Sequence, residues 1–324
     1  MLQLTENLGI VTGLGRLSYE VLTLAATLPA GHSHFRIKPW FPLIGDAYEL
    51  VHEMLGRSKG AAIDPFHFSD IERNLVDNNI KRLFFTGDFP RTRFIQAQIS
   101  KAWSALSGLG DEKFIRYFSE TDDDLSQPVR YFLALSRLLS DLEIRPLLAH
   151  EVFPQLNIAP GQASIRETPR EIIDQLLDLI VGVGKHLALM PRERNRFAQA
   201  VIVDNGIVAA VEARGTNELI RRYAKRQVKR MPYLLKPPSV EFDPALDQPT
   251  IGPDTIQLCK EAGVRGIVVC AETTIIANKA ATLQQINEYE MFLCALPFSE
   301  LRRTYEQHFS NTWTRNTTIA APLR

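Results

Sequence analysis

The sequence predicts an α/β protein whose N-terminal half carries an open, mostly parallel sheet. Two observations lead there: short apolar runs alternate with amphipathic helical segments over residues 7–157, and glycine closes several of the runs where a strand turns into a helix. The 324 residues are enough for two domains with real cores.

Leu8–Val11 is an apolar run followed by the glycine turn TGLGRL and an amphipathic segment over residues 17–28, so strand, turn and helix are expected in that order. Residues 29–42, with Phe35, Trp40 and Phe41 close together, read as irregular or as a second strand, and residues 46–57 as helical. Ser69-Asp70-Ile71-Glu72 has the spacing of a capping box. The helix it opens runs to Asp77-Asn78-Asn79, and Ile80–Thr86 follows as a buried strand closed by Gly87. Helix, turn and strand recur at residues 127–140 and 145–149.

The polar, Pro- and Gly-bearing stretch 157–168 marks the domain boundary. Pro169 opens a long amphipathic helix to residue 189 with an apolar stripe of Ile172, Ile173, Leu176, Leu177, Ile180 and Val183. Asp204-Asn205-Gly206 between the apolar runs 197–203 and 207–213 is a hairpin signal. A basic helix is expected over residues 216–230, strands at 266–271 and 274–277, and another at 292–295. Residues 299–324 read as an appended helix and a loose tail.

Composition excludes several function classes. The 37 basic and 37 acidic residues balance, so no global field argues for nucleic acid. Cys259, Cys270 and Cys294 form an odd, sparse set, better suited to reduced thiols than to a disulfide frame or a zinc site. The N-terminus lacks the pattern of a signal peptide, and no run nears the roughly 18–20 apolar residues that span a bilayer. A soluble cytoplasmic protein is expected.

Chemistry-bearing residues cluster late in the chain. LDQPTIGPDT (residues 246–255) joins Asp247, Pro249, Gly252, Pro253, Asp254 and Thr255 just before a helix. The prolines fix φ and lack donors, so the stretch is a shaped loop at a helix N-terminus, where free N–H groups favour anions. As a plain turn it would use Asp254 as N-cap. Gly13, Gly15 and Arg16 could let a phosphate or sugar approach the backbone, or make an ordinary βα turn. Asp122 and Asp123 precede a helix, complementing its dipole or reaching a cleft. Arg221, Arg222, Lys225, Arg226, Lys229 and Arg230 form either a solvated face or a site for a diphosphate or anionic lipid headgroups. The seven histidines (residues 32, 34, 52, 67, 150, 186 and 308) have no metal-binding spacing. Carboxylates, a divalent ion and cationic side chains would suit phosphoryl or pyrophosphate chemistry.

In their order these motifs resemble the LpxI family of UDP-2,3-diacylglucosamine diphosphatases. The resemblance rests on LGIVTGLGRL, DNNIKRLFFTGDFPR, the Asp122-Asp123 pair, LLAHEVFPQLNIAPG, AQAVIVDNGIVAAVEARGTNELIRR and, most specifically, LDQPTIGPDT; it covers about residues 7–296. It implies a Rossmann-like parallel-sheet domain over residues 1–158, an LpxI-type α/β domain over 159–298 and a tail over 299–324. It also implies magnesium-dependent hydrolysis of UDP-2,3-diacylglucosamine to UMP and lipid X in lipid A biosynthesis, with lipid X held between the domains.

Residue by residue, the resemblance gives Asp247 a role in metal binding or in orienting the attacking water. It places Asp254 and Lys236 in the catalytic set. Gly13, Gly15, Arg16, Gly87, Asp122, Asp123, Gly215, Thr216, Thr250, Gly252 and Thr255 would contact substrate. The implied cofactor is Mg2+; the implied partners are a UDP-linked acylated glucosamine or lipid X. Peripheral contact with the inner membrane, a homodimer and no nucleic acid are further expectations. The chain departs from the family pattern at Asp88, Arg214, Asn217, Ser239, Phe242 and Ala245. The alternative is a catalytically degenerate homologue that binds a nucleotide sugar, lipid or protein partner.

Overall fold

The computed structural model describes residues 7–12, 16–25, 27–28, 32–37, 60–86, 110–122, 127–173, 200–212, 215–226, 230–237, 242–300 and 303. The chain divides into two compact units: Met1–Pro154 with Phe242–Gln248, and Gln155–Glu241 with Pro249–Arg324. The short segment 242–248, which sequence reading assigned to the C-terminal domain, therefore packs with the first unit.

Five strands make the sheet of the first unit: β1 (Asn7–Thr12), β2 (His32–Ile37), β3 (Gly60–Ile63), β4 (Ile80–Thr86) and β5 (Arg145–Leu147). Their order is β3-β2-β1-β4-β5, and every pairing is parallel. Helix α1 (Arg16–Ala25) follows β1, α2 (Phe68–Asp77) leads into β4, and α3 (Glu112–Ser119) and α4 (Gln127–Asp141) lead into β5. A four-residue helix, α5 (Ala149–Val152), follows β5. The uncertain second strand at residues 29–42 is thus a strand, and β4 has the expected bounds.

The helices of this unit pack through aromatic rings. Phe66, Phe68, Phe114 and Tyr131 are buried, with ring centroids 5.2–6.3 Å apart. The N-terminus of α2 does not use the expected capping box. His67 is its N-cap residue and makes no side-chain cap bond. Instead Asp111 accepts from the amides of Phe68 (3.2 Å), Ser69 (2.7 Å) and Phe114 (2.8 Å). One carboxylate thereby satisfies the first donors of both α2 and α3, and Glu72 is left to pair with Lys113.

In the second unit six strands follow the order β6-β13-β11-β9-β7-β8: β6 (Gly161–Gln162), β7 (Val201–Asp204), β8 (Ile207–Val211), β9 (Pro232–Lys236), β11 (Gly266–Cys270) and β13 (Phe292–Leu296). β9, β11 and β13 are parallel, while β7, β8 and β6 are antiparallel to their neighbours. A separate pair joins β10 (Thr250–Ile251) to β12 (Ile275–Ile276) in parallel. Asn205 (φ 54°) and Gly206 (φ 75°) make the predicted hairpin turn, since two positive φ values match the twist of the strands.

β9 and β11 are buried along their whole length, as central parallel strands covered on both faces are. One face, with Ile202, Leu234, Ile267 and Val269, packs against α6 (Thr216–Ala224), α7 (Pro253–Glu261) and α8 (Lys279–Glu288) through Leu219, Ile220, Ile256 and Ile286. The other, with Val203, Tyr233, Leu235, Val268 and Phe292, packs against Ile172. α6 ends at Ala224, short of the expected residue 230, and β12 is only two residues long. The expected helix at 46–57, most of that at 169–189, the Trp40–Phe41 pair and most of the tail lie outside the described residues. No helix among the described residues is long and apolar enough to cross a membrane.

Candidate active site

β9 reads Pro-Tyr-Leu-Leu-Lys, and its alternation sets Leu234 and Lys236 toward the helix-covered face. Lys236 ends the strand only 4% exposed. Its Nζ donates to Thr216 Oγ1 and to the carbonyl of Thr250, each at 2.9 Å. Taking an ammonium group out of water is costly unless acceptors receive its protons, and these two do so. The two acceptors come from the beginnings of different elements. Thr216 is the first residue of α6, and Thr250 lies in β10, two residues before the N-cap of α7.

Both helix starts use glycine, for different reasons. Gly215, the N-cap of α6, has φ 105° and ψ 156°, a conformation nearly restricted to glycine. Gly252, the N-cap of α7, is extended; there a Cβ would stand 3.2 Å from the Cβ of Ala277. That close approach follows from β10 lying against β12: Ile275 N donates to Pro249 O (2.8 Å) and Ala277 N to Ile251 O (2.9 Å). Pro253 occupies the first helical position, where its missing donor costs nothing. Asp254 is therefore inside the helix and exposed, not its N-cap, which corrects the turn expected from sequence. Thr255 beside it is buried.

A buried cation tied to two helix N-termini, at the carboxyl end of a central parallel strand, is an arrangement that favours a phosphate-like anion. The structure thus brings together Lys236, Thr216 and Thr250 by direct bonds, with Gly215, Gly252 and Thr255 on the same two helix starts. Asp254 shares the first turn of α7 but makes no bond to Lys236.

Sequence reading missed three residues of this region. Asn157 donates to the carbonyls of Ala271 and Thr274 (3.2 Å to the latter) and accepts from Lys279 Nζ, bracing the turn after β11. Thr274 has a fully buried hydroxyl without a hydrogen-bond partner. Glu218, in the first turn of α6, buries one carboxylate oxygen that also lacks a hydrogen-bond partner. A polar residue near a Pro–Gly loop is too common a signal to have singled them out.

The three cysteines are buried free thiols. Burial pushes the Cys259 thiol up to about 12 although the Lys236 charge pulls the other way, and burial pushes Cys270 up to about 11. Cys294 is raised by burial too.

Asp247 belongs to the first unit. It ends the 3-10 turn Pro244–Leu246 and is 9% exposed. Gln248 fixes this segment at the carboxyl end of β5: its Oε1 accepts from Ala149 N (2.8 Å), the first amide of α5. Phe242, at the other end of the segment, stacks on Phe132 with centroids 4.5 Å apart, and Ala245 and Leu246 are buried. Asp243 caps the 3-10 turn through Ala245 N (2.9 Å), and its carboxyl is raised above the ordinary range, chiefly by burial and then by the Glu151 charge. Two departures from the family pattern, Phe242 and Ala245, are thus core positions here.

Of the remaining predicted residues, Asp122 is exposed before α4. Arg16 opens α1, with its side chain outside the described residues, as are Gly13, Gly15, Gly87, Asp88, Asp123 and Arg214. Among the described residues no three His, Cys, Asp or Glu side chains are grouped to hold a metal.

Fold and site define an α/β protein with an anion-favouring cluster of polar groups at a strand end. Comparison with known proteins narrows this. Residues 188–294 match the model of the LpxI C-terminal domain. Over 156 residues the chain is 29% identical to the UDP-2,3-diacylglucosamine pyrophosphatase LpxI of Caulobacter vibrioides, a match covering 45% of this chain and 52% of that protein. The chain thus spans about half the length of that curated relative, and it resembles the LpxI family.

Proposed function

We propose that this protein is a hydrolase that cleaves the pyrophosphate of UDP-2,3-diacylglucosamine, giving UMP and lipid X in lipid A biosynthesis. The observation that carries the reading is Lys236, a buried cation bonded to Thr216 and Thr250 within the matched region. A diphosphate substrate brings concentrated negative charge, and an ammonium held in place beside two helix starts stabilises that charge without reorganising. Asp247, the family's functional acid by resemblance, would bind metal or orient the attacking water. The β3-β2-β1-β4-β5 order supports a Rossmann-like reading of the first unit, whose parallel strands offer their carboxyl ends to a ligand.

Magnesium is the proposed cofactor. Magnesium commonly binds through one or two carboxylates together with substrate phosphates, and Asp247 would supply one such carboxylate. When bound, it supplies further neutralisation of phosphate charge.

The second reading, a non-catalytic relative, draws on Phe242 and Ala245, which serve packing where the family pattern has polar groups. One assay separates the two. The purified chain is incubated with UDP-2,3-diacylglucosamine and magnesium, and UMP release is followed with Asp247→Ala as control. UMP from the parent chain and none from the variant supports the hydrolase; no UMP from either, or equal amounts from both, supports the second reading.

A further inference from the structure

We propose that the tip of the β7–β8 hairpin, in the second unit, is a docking surface for an anionic lipid bilayer. At this tip Ile207 is 70% exposed and Met231 42% exposed. The two residues flank Asp204, which pairs in register with Ile207 on β8 and with Pro232 on β9. Asp204 is spoken for: its carboxylate accepts from Tyr223 OH (2.7 Å), Met231 N (2.9 Å) and Arg230 N (3.1 Å). One inward-turned acid therefore gathers the hairpin turn, the end of α6 and the entry to β9 into a fixed tip.

The cations around that tip are exposed. Lys225 and Arg226 follow α6, with the Arg226 guanidinium 5.9 Å from the Tyr223 ring centroid. Arg230 precedes Met231, and Arg265 is anchored by its amide to the carbonyl of Pro232 at 2.7 Å. Glu261 ends α7 before β11, and Glu290 follows α8 before β13, one and two strands away from β9. Two outward apolar side chains framed by four cations fit a bilayer interface: the cations meet lipid phosphates while isoleucine and methionine reach the acyl boundary. The surface lies at the amino end of β9, whereas Lys236 lies at its carboxyl end, so the proposal stands apart from the hydrolase reading.

The test is sedimentation of the full chain with vesicles of phosphatidylglycerol and phosphatidylcholine, and with vesicles of phosphatidylcholine alone. Binding to the anionic vesicles only, weakening as salt is raised, is expected. The double variant Arg226→Gln/Arg230→Gln should lower partitioning about twenty-five-fold, from roughly fivefold per cation near an anionic surface. Ile207→Asp/Met231→Asp should abolish it, with circular dichroism checking that each variant is folded. No binding at low salt, equal binding to both vesicle types, or binding unchanged in both variants would overturn the proposal. So would light scattering that shows a dimer in the parent chain and a monomer in Ile207→Asp, because a second copy would then occupy the tip.

Discussion

Asp111 in the first unit and Lys236 in the second are both partly or wholly buried charges, yet they are satisfied in opposite ways. Asp111 collects backbone amides from two helices and finishes their first turns. Lys236 gives its protons to one side chain and one carbonyl at two helix starts, adding positive charge where the helix dipoles are already positive. The first arrangement neutralises local polarity and serves the fold. The second sets a cation beside two helix starts at one strand end, an arrangement that favours an anion. A charge that completes a helix start serves the fold, whereas a cation set beside helix starts favours an anionic ligand.

Four substitutions break or sharpen that contrast. Lys236→Met has the largest expected effect: UMP release should fall about a hundredfold or more, the scale of losing one preorganised electrostatic group. Retained activity would remove Lys236 from the site. Phe242→Ala tests the packing of segment 242–248; losing the ring stacked on Phe132 should cost about 3–5 kcal/mol in urea unfolding of the first unit. A loss below that range would mean the segment is only loosely attached.

Gly215→Ala should destabilise by about 1–3 kcal/mol, because φ 105° is reached with strain by any residue bearing a Cβ. A neutral result would show that the α6 start relaxes freely. Asp111→Ala should cost about 1–2 kcal/mol at neutral pH, the range for one lost helix cap. Its pH dependence gives the sharper test. Burial opposes ionisation of Asp111, but the hydrogen bonds from Phe114, Ser69 and Phe68 outweigh it and hold the carboxyl below its ordinary 3.8. Because the folded value lies below the unfolded one, the stabilisation is fully present above about pH 4 and lost as pH falls through the folded value. The stability gap between parent and variant should therefore close in acid; a gap that widens there would contradict the capping role.

Much of this was legible before the structure. Ile80–Thr86 carries its bounds in composition, and Asp204-Asn205-Gly206 specifies its turn through local φ preferences. Gly215, Thr216, Thr250, Gly252 and Lys236 were all singled out, and three of them meet through direct bonds. What sequence did not reveal depends on distant partners. Ser69 and Glu72 have capping-box spacing, but Asp111, some forty residues on, reaches the same amides first. Asp254 has the chemistry of an N-cap, yet Pro253 starts the helix one residue earlier. Gln248 looks like filler in a loop until its carbonyl is seen receiving Ala149 N across 99 residues of chain.

The placement of Phe242–Gln248 has a consequence for how the molecule can be taken apart. The first unit is discontinuous in sequence, since the chain leaves it after Pro154 and comes back for seven residues. A polypeptide truncated at residue 154 would uncover one face of Phe132 and strip the cap from Ala149. The N-terminal unit is consequently not a cassette that can be excised or exchanged as a single stretch. Transplanting it requires a fusion that restores residues 242–248.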